Sequence, residues 1–371
     1  MKSPVRVLVV DDSAVMRKLI PQLLQGDPSI QVVGTAMDGL LGLKKIGELH
    51  PDVITLDLEM PRMDGIEMLR EIMRHYNVPV IIVSGHSEKS AYSAMKALSL
   101  GAFDFIAKPK DAKRGGMDQI ARELAMKIKV AAVAGAPKAK LAGDESPRKR
   151  PRAPHGDSRP TRSIAIGVST GGPNALHYVF SQLPAEFSGC LLVVQHMPEG
   201  FTQMFARRLN DCSALEVSEA RSGDILAPGR AFICPGNRHI KIRHTDKGEM
   251  IVLADLPHVN GHRPSADVLF HSVAKELGSE GVAILMTGMG EDGAEGMRAV
   301  QAAGGITIAQ SLESCIVDSM PRAAIEHGYA GRVVSLDAMP GVLQALCAGE
   351  RSRHHADAVD LVTSRNSDSG N

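Results

Sequence analysis

The stretch VRVLVVDDSAVMRKLIPQLLQ, residues 5–25, decides the fold of the first half of the chain. It opens with an apolar run rich in Val, Val5–Val10, which predicts a strand whose sheet carries helices on both faces. Two aspartates and a serine follow, and apolar residues then recur at the spacing of an amphipathic helix. The stretch therefore predicts a strand–helix unit with an acidic turn at the carboxyl end of the strand.

The same unit recurs four more times before residue 131, with strands such as Val53–Asp57 and Val80–Val83. Short apolar runs that alternate with amphipathic helices predict a doubly wound parallel sheet, here with five strands. Ligands of such sheets bind at the carboxyl ends of the strands. We therefore expect an α/β domain over residues 1–130, with its functional side chains along that edge.

The chain of 371 residues is long enough for two domains. Residues 131–162 are rich in Ala, Pro, Lys and Arg and lack a periodic apolar pattern, which predicts a flexible basic linker. Its run Pro147–Arg152 could bind an acidic surface, but we favour a solvated spacer. Residues 163–349 alternate strands and helices again, which predicts a second doubly wound, mainly parallel α/β domain. Residues 350–371 form a polar tail.

The overall composition argues against several classes of protein. Lysine plus arginine and aspartate plus glutamate both number 42, and aromatic residues make up 3% of the chain. Without a basic field or stacking platforms, we expect no nucleic-acid partner, and no apolar run is long enough for membrane insertion. The five cysteines form no CxxC pair and are typical of reduced thiols. We expect a cytoplasmic monomer.

Acidic residues follow two strands of the first predicted sheet. Asp11 and Asp12 end the first strand and Asp57 ends the third, so their carboxylates should converge at one edge. Three such anions repel one another unless a cation joins them, and oxygen ligands with room for water suit Mg²⁺. The spacing therefore predicts a magnesium site.

A hydroxyl and an ammonium group should lie at the same edge, because Ser84 ends the fourth strand and Lys108 ends the fifth. A carboxylate nucleophile, a metal and two donors for phosphoryl oxygens are the components of phosphoryl transfer. A single aspartate at a strand end more often caps the following helix. For five residues at four strand ends we favour the phosphoryl site.

The motifs VVDDS, DLEMPRMDG and FDFIAKP resemble the receiver domain of two-component response regulators. The resemblance implies that Asp57 accepts a phosphoryl group from a sensor histidine kinase and that Phe105 is an aromatic switch residue. It also implies magnesium ligands, including the backbone carbonyl of Glu59, and two phosphate contacts: Asp11, Asp12, Asp57 and Glu59 for the metal, Ser84 and Lys108 for the phosphate.

In the second half, GVSTGG at residues 167–172 lies between the strand Ser163–Ile166 and a helix that Pro173 opens. Glycines permit a sharp turn that exposes Ser169 near a helix N-terminus, where backbone N–H groups can hold an oxyanion. Glycine-rich turns of this kind also bind phosphates, so a nucleophilic Ser169 requires a base.

His196 ends the next strand and Asp292 follows a further one, which supplies a candidate base and a group to orient it. A lone histidine at a strand end is usually structural, so the set of three carries the prediction. The order Ser, His, Asp differs from the Ser, Asp/Glu, His order of α/β-hydrolases. We therefore expect convergent geometry on a sheet of different topology.

The motifs SIAIGVSTGGP, VVQHMP, GHRPSADVLF and MTGMGEDGAEG resemble the catalytic domain of chemotaxis protein-glutamate methylesterases. The resemblance implies hydrolysis of glutamate methyl esters and deamidation of glutamines on methyl-accepting chemoreceptors, with no cofactor for the hydrolase chemistry. It implies Ser169 as nucleophile, His196 as base, Asp292 as orienting acid, and the Thr170 and Met289 amides as oxyanion donors.

Two residues of the GHRPSADVLF motif each have more than one possible role, and the regulation and the class of the protein also have alternative interpretations. For Ser265 we favour a helix N-cap, and Arg263 either contacts substrate or pairs with an acid. The resemblance further implies that the unphosphorylated receiver inhibits the hydrolase. The alternative is that the receiver also helps to dock the enzyme, so that phosphorylation activates it beyond simple unblocking. A transcriptional regulator lacks support because no helix-turn-helix pattern or basic second half is present. A non-catalytic adaptor with a vestigial serine is the other alternative.

Overall fold

The computed structural model describes residues 3–109, 114–135 and 159–348, which divide into two compact units. Residues 136–158 of the predicted linker and the predicted tail, residues 350–371, lie outside the described residues. The last helix of the first unit continues to Ala134, so the first residues of the predicted linker are helical.

The first unit is a sheet of five strands with helices between them. The strands are β1 (Val5–Val10), β2 (Ile30–Ala36), β3 (Val53–Leu56), β4 (Val80–Ser84) and β5 (Asp104–Ala107). The helices are α1 (Ala14–Leu24), α2 (Gly39–Leu49), α3 (Gly65–His75), α4 (Glu88–Ser99) and α5 (Arg114–Ala134). All strands are parallel in the order β2-β1-β3-β4-β5, which confirms the predicted five-stranded fold.

Alternating side chains of β1 serve the two faces of this sheet. Val7 and Val9 share a buried cluster with Ile20 of α1 and Ile128 of α5. Val10 faces the opposite side, where α2 approaches so closely that a Cβ at Gly42 would lie 3.3 Å from the Val10 side chain. Burial on both faces explains the apolar sequence of the strand. The strand order reverses between β1 and β3, which makes the carboxyl ends of these two strands a topological switch point.

The second unit has a larger sheet and a separate hairpin. Its strands are β6 (Ser163–Val168), β7 (Cys190–Gln195), β8 (Glu216–Glu219), β9 (Arg230–Ile233), β10 (His239–Thr245), β11 (Gly248–Ala254), β12 (Val282–Leu285), β13 (Ile306–Gln310) and β14 (Arg332–Val334). The helices in the second half of the chain are α6 (Gly172–Gln182), α7 (Phe201–Cys212), α8 (Ala266–Leu277), α9 (Ala294–Ala302), α10 (Ser319–Glu326) and α11 (Met339–Cys347).

Seven of these strands form one parallel sheet in the order β14-β13-β12-β6-β7-β9-β8, while β10 and β11 pair antiparallel. This arrangement confirms the predicted mainly parallel α/β fold. Leu192 and Val194 of β7 pack in one buried cluster with Leu269 and Phe270 of α8. The switch point lies between β6 and β12, because β7 continues the sheet on one side and β13 on the other. Among the described residues, no helix is long and apolar enough to cross a membrane.

Candidate functional site

Three carboxylates meet at the switch point of the first sheet, as the sequence predicts. Asp11, Asp12 and Asp57 each offer an oxygen within 4.8 Å of the others. The Lys108 ammonium nitrogen lies 2.7 Å from Asp57 Oδ2 and 3.0 Å from Asp11 Oδ2. The ammonium group that follows β5, at the far edge of the sheet from β2, thus bridges two of the three acids.

Burial dominates the electrostatics of this acidic cluster. It raises the pKa of Asp11 and of Asp57, and the Lys108 charge offsets the effect only in part. Burial by itself would lower the pKa of Lys108, but Asp57 and Asp11 reverse the direction and raise it. Asp11 Oδ2 is buried and accepts no hydrogen bond from a described residue beyond its ion pair with Lys108. This excess of anionic oxygen fits a hard divalent cation such as Mg²⁺.

Two other predicted residues of the first site are engaged locally. The Glu59 amide donates to Asp57 Oδ1 at 3.3 Å, while the Glu59 carboxylate accepts from the Ser90 hydroxyl at 2.8 Å and is thereby tied to α4. The Ser84 hydroxyl donates to the Ser90 carbonyl at 3.0 Å. The roles of the Glu59 carbonyl and of Ser84 therefore stay predictions, and phosphate contact by Ser84 requires its hydroxyl to turn.

The predicted switch residue Phe105 is anchored from α5. Lys127 donates to the Phe105 carbonyl at 2.6 Å and lies 5.6 Å from the centre of the Phe105 ring. The same ammonium pairs with Asp104 at 3.1 Å, which compensates both buried charges. Its switch role stays a prediction.

In the second unit, the predicted triad comes from three adjacent strands. Ser169 directly follows β6 and His196 directly follows β7, while Asp292 lies in the loop after β12. The Ser169 amide donates to the Thr287 carbonyl at 3.0 Å and the His196 amide to the Val168 carbonyl at 3.1 Å. These bonds join the three strand ends at the switch point, where ligands of parallel sheets bind.

His196 and Asp292 form the central hydrogen bond of the site, 2.7 Å between His196 Nε2 and Asp292 Oδ2. Asp292 is fully buried and also accepts from the Ser265 hydroxyl and the Ala266 amide, both at 2.6 Å. Burial by itself would raise the pKa of Asp292, but these donors outweigh it and lower the pKa to about 2. Asp292 is therefore a carboxylate at neutral pH.

The second nitrogen of the imidazole is available for proton transfer. His196 Nδ1 is buried and has no hydrogen-bond partner among the described residues. Because Nε2 donates to the Asp292 carboxylate, the lone pair of the neutral ring lies on Nδ1. Although the backbone bond from His196 to Val168 joins the ends of their two strands, no hydrogen bond joins the Ser169 hydroxyl to His196 among the described residues. Such bonds are often long before substrate binds.

The loops beside Ser169 suit oxyanion binding. Gly171 has a left-handed backbone with φ of 80°, which starts α6 directly behind the serine. A Cβ at Gly288 would lie 2.9 Å from the Ser169 Cβ, so this loop packs against the serine. Neither the Thr170 nor the Met289 amide donates to another described residue. Both predicted donors therefore keep an unused N–H, and their role stays a prediction.

Ser265 occupies the predicted N-cap position of α8, but its hydroxyl does not cap the helix. The side chain makes no capping bond and donates to Asp292 Oδ1 instead. Arg263 pairs with Asp255 at 3.0 Å, the second of its two predicted alternatives. Asn260 was missed, and its amide bridges Asp292 Oδ1 at 3.1 Å and Asp267 Oδ2 at 2.6 Å. An Asn-Gly pair normally signals only a turn, so the sequence offered no sign of this contact.

His262 is the second residue that sequence reasoning missed. Its ring stacks on the His196 ring with 3.8 Å between centroids and 7° between planes. Burial and the neighbouring His196 lower the pKa of His262 to about 4. The GHRPSADVLF motif contains this histidine, but no local spacing indicates which ring it would contact.

Each half of the chain matches a known protein family. Residues 164–343 match the family described as CheB methylesterase, and residues 7–115 match the response regulator receiver domain. A crystal structure of the Thermotoga maritima CheB methylesterase catalytic domain shares 37% identity, covers 50% of this chain and 98% of that chain, and has a TM-score of 0.49.

Full-length relatives match across both halves together. Protein-glutamate methylesterase/protein-glutamine glutaminase 2 of Koribacter versatilis is 57% identical over 94% of this chain and 98% of its own length. The protein-glutamate methylesterase/protein-glutamine glutaminase of Symbiobacterium thermophilum is 46% identical over 89% of this chain and 94% of its own. Identity at this level over nearly whole chains shows that this protein belongs to the family of protein-glutamate methylesterases/protein-glutamine glutaminases, in which a receiver domain precedes the methylesterase domain.

Proposed function

We propose that this protein hydrolyses glutamate methyl esters and deamidates glutamines on the cytoplasmic helices of methyl-accepting chemoreceptors, under the control of phosphorylation at Asp57. The names of its relatives supply the reaction class. The observation that carries the proposal is the His196 ring, whose Nε2 is bound to a buried carboxylate while its Nδ1 has no partner in the part of the chain that the structure describes. An imidazole held in this way is a general base.

In the acylation step, the Ser169 hydroxyl oxygen attacks the side-chain carbonyl carbon of the glutamyl ester. Its proton passes to His196 Nδ1, and Asp292 stabilises the resulting imidazolium across the 2.7 Å bond to Nε2. The Thr170 and Met289 amides donate to the oxyanion of the tetrahedral intermediate. When the intermediate collapses, methanol leaves with the proton from Nδ1 and a glutamyl ester of Ser169 remains.

Water completes the reaction from the same groups. His196 Nδ1 removes a proton from a water molecule, whose oxygen attacks the acyl carbon, and Ser169 leaves with that proton. The product is a glutamate side chain. A glutamine substrate follows the same sequence, except that ammonia leaves in place of methanol, so one site serves both reactions.

The receiver uses its acidic cluster for phosphoryl transfer. The Asp57 carboxylate attacks the phosphorus of a phosphohistidine on a sensor histidine kinase, or of a small acyl phosphate. Lys108 lies 2.7 Å from Asp57 Oδ2 and is close enough to bond a phosphoryl oxygen on that residue. When bound by Asp11, Asp12, Asp57 and the Glu59 carbonyl, Mg²⁺ supplies positive charge that offsets the phosphoryl oxygens.

Methanol release from methylated receptor membranes tests the hydrolase. The Ser169→Ala protein should lose several orders of magnitude in kcat, because the acyl-enzyme cannot form. The matched control is Ser279→Ala, which removes a hydroxyl from an exposed serine of the same unit. A folded Ser169→Ala protein that releases methanol at a substantial rate would refute the mechanism. Failure of the unchanged protein to react with a serine-directed fluorophosphonate would instead favour an adaptor without catalytic activity.

A further inference from the structure

His196 is held firmly at only one of its two nitrogens. The bond from Nε2 to Asp292 fixes one point of the ring, while no described residue bonds to Nδ1. A single hydrogen bond allows an imidazole to pivot, and a tilt of the ring would move Nδ1 away from the serine proton. Since misplacement by about 1 Å costs about 100-fold in rate, the plane of the ring needs a second constraint.

The ring of His262 supplies a flat surface against that plane. The two imidazoles lie 3.8 Å apart, centroid to centroid, and are within 7° of parallel. Contact over a whole face resists tilt in both directions, which a second hydrogen bond at one atom would not do. Neither ring nitrogen of His262 donates to or accepts from another described residue, and its ring stacks on His196.

The backbone around His262 is itself fixed. Val259 and His262 exchange two backbone hydrogen bonds, of 3.0 Å and 2.9 Å, around the turn formed by Asn260 and Gly261. Within that turn the Asn260 amide reaches Asp292 Oδ1. The next residue, Arg263, is tied to Asp255. One short turn therefore contacts both the orienting acid and the base.

We propose that His262 is a positioning residue of the hydrolase, whose ring holds the His196 imidazole in the plane that presents Nδ1 to Ser169 and supports its protonated form. The inference rests on the proposed function of this site. His262 acts through His196 and transfers no proton itself.

The charge state of His262 fits this role. Burial and the His196 ring lower its pKa to about 4, so it is uncharged near neutral pH. The face of an uncharged aromatic ring attracts a cation, and His196 becomes a cation when it takes the serine proton. A charged ring at 3.8 Å would instead repel that cation and oppose the reaction.

Three substitutions separate positioning from general packing. His262→Ala removes the ring, His262→Leu keeps most of the apolar volume without a flat aromatic face, and His262→Phe restores the face. The control is His258→Ala, an exposed histidine of the same loop. The assay measures kcat and KM for methanol release by the full chain with a phosphodonor, and the rate of fluorophosphonate labelling reports on Ser169 directly.

We expect kcat to fall about 10- to 100-fold in His262→Ala and His262→Leu, with KM unchanged. His262→Phe should recover most of this loss, His258→Ala should match the unchanged protein, and labelling rates should follow kcat. Should His262→Ala fail to fold, the comparison of kcat between His262→Leu and His262→Phe tests the inference. The inference would be overturned if His262→Leu and His262→Phe lost kcat equally, or if kcat were unchanged in His262→Ala and His262→Leu. A change confined to KM would also overturn it. Absence of activity in the unchanged protein would overturn the proposed function as well.

Discussion

Replacement of Asp292 by asparagine tests the electrostatics of the triad with a change of one atom. Asp292 Oδ2 accepts from His196 Nε2 and the Ala266 amide, and Oδ1 accepts from Ser265 and Asn260. An amide nitrogen at the Oδ2 position would meet two N–H donors and force the proton of His196 onto Nδ1, which abolishes the base. At the Oδ1 position it would meet the Asn260 amide at 3.1 Å and the more distant Asp267 backbone amide at 3.5 Å, both longer than the 2.7 Å and 2.6 Å contacts at Oδ2, while the Ser265 hydroxyl can rotate. The second orientation is therefore favoured and keeps His196 in its active tautomer.

The expected fall in rate then comes from the loss of the attraction between the carboxylate charge and the imidazolium. Two unit charges at the 2.7 Å separation of Nε2 and Oδ2 attract by about 6 kcal/mol at an effective dielectric constant of about 20. The hydrogen bond that remains to a neutral amide returns about 1 kcal/mol, and relaxation reduces the difference further. We expect a barrier about 3–5 kcal/mol higher, which lowers kcat roughly 10²- to 10⁴-fold.

The assay is methanol release from methylated receptor by the full chain with a phosphodonor. KM should be unchanged, because the buried Asp292 cannot touch the substrate. The control is Asp267→Asn, a neighbouring buried carboxylate that accepts from Gly296 and Asn260 and makes no contact with His196. A kcat within tenfold of the unchanged protein, or an equal loss in Asp267→Asn, would contradict the role assigned to Asp292.

Further predictions concern phosphorylation, regulation and acid stability. Acetyl phosphate with Mg²⁺ should add one phosphoryl group by intact mass, and either Asp57→Asn or a chelator should prevent it; undiminished phosphorylation of Asp57→Asn would refute the assignment. A fragment of residues 162–349 should have a higher kcat/KM than the unphosphorylated full chain and no response to phosphodonor; a folded fragment slower than the resting chain would rule out inhibition by the receiver as the main control. The folded pKa of Asp292, about 2 against 3.8 for an unperturbed aspartate, adds about 2 kcal/mol of stability above about pH 4, which is lost as pH falls through 2. Urea unfolding should therefore show a shallower fall in the free energy of unfolding below pH 4 in Asp292→Asn, and parallel curves would contradict the low pKa.

The sheets and the residues at their strand ends could be predicted from the sequence, because the causes are local. A run of apolar residues such as Val53–Leu56 identifies the strand. The residue that follows at once, Asp57, then lies at the carboxyl end of that strand. Parallel sheets then bring such positions to one edge whatever the strand order. The same logic predicted Ser169 and His196 from their places after β6 and β7.

The contacts that hold Asp292 could not be predicted in the same way, because they join segments far apart in sequence. Ser265 stands at the start of a helix, where a serine normally caps the backbone, and only the fold reveals that a buried carboxylate competes for its hydroxyl. His262 lies in an irregular loop without periodicity, so nothing local indicates which face its ring covers. The direction of the Ser84 hydroxyl likewise depends on the position of α4.

The strand order of the second sheet also bears on how the chain is made. β1 gains both of its neighbours, β2 and β3, before residue 57 has been synthesised. β6 pairs with β7 soon after it emerges, but its other neighbour, β12, begins only at Val282. Until then a strand whose residues are all buried in the finished sheet has one open edge, which is a template for pairing with other chains. We therefore expect the newly made second half to depend on chaperones while the receiver folds early on the ribosome, and truncation anywhere between β7 and β12 to yield aggregates.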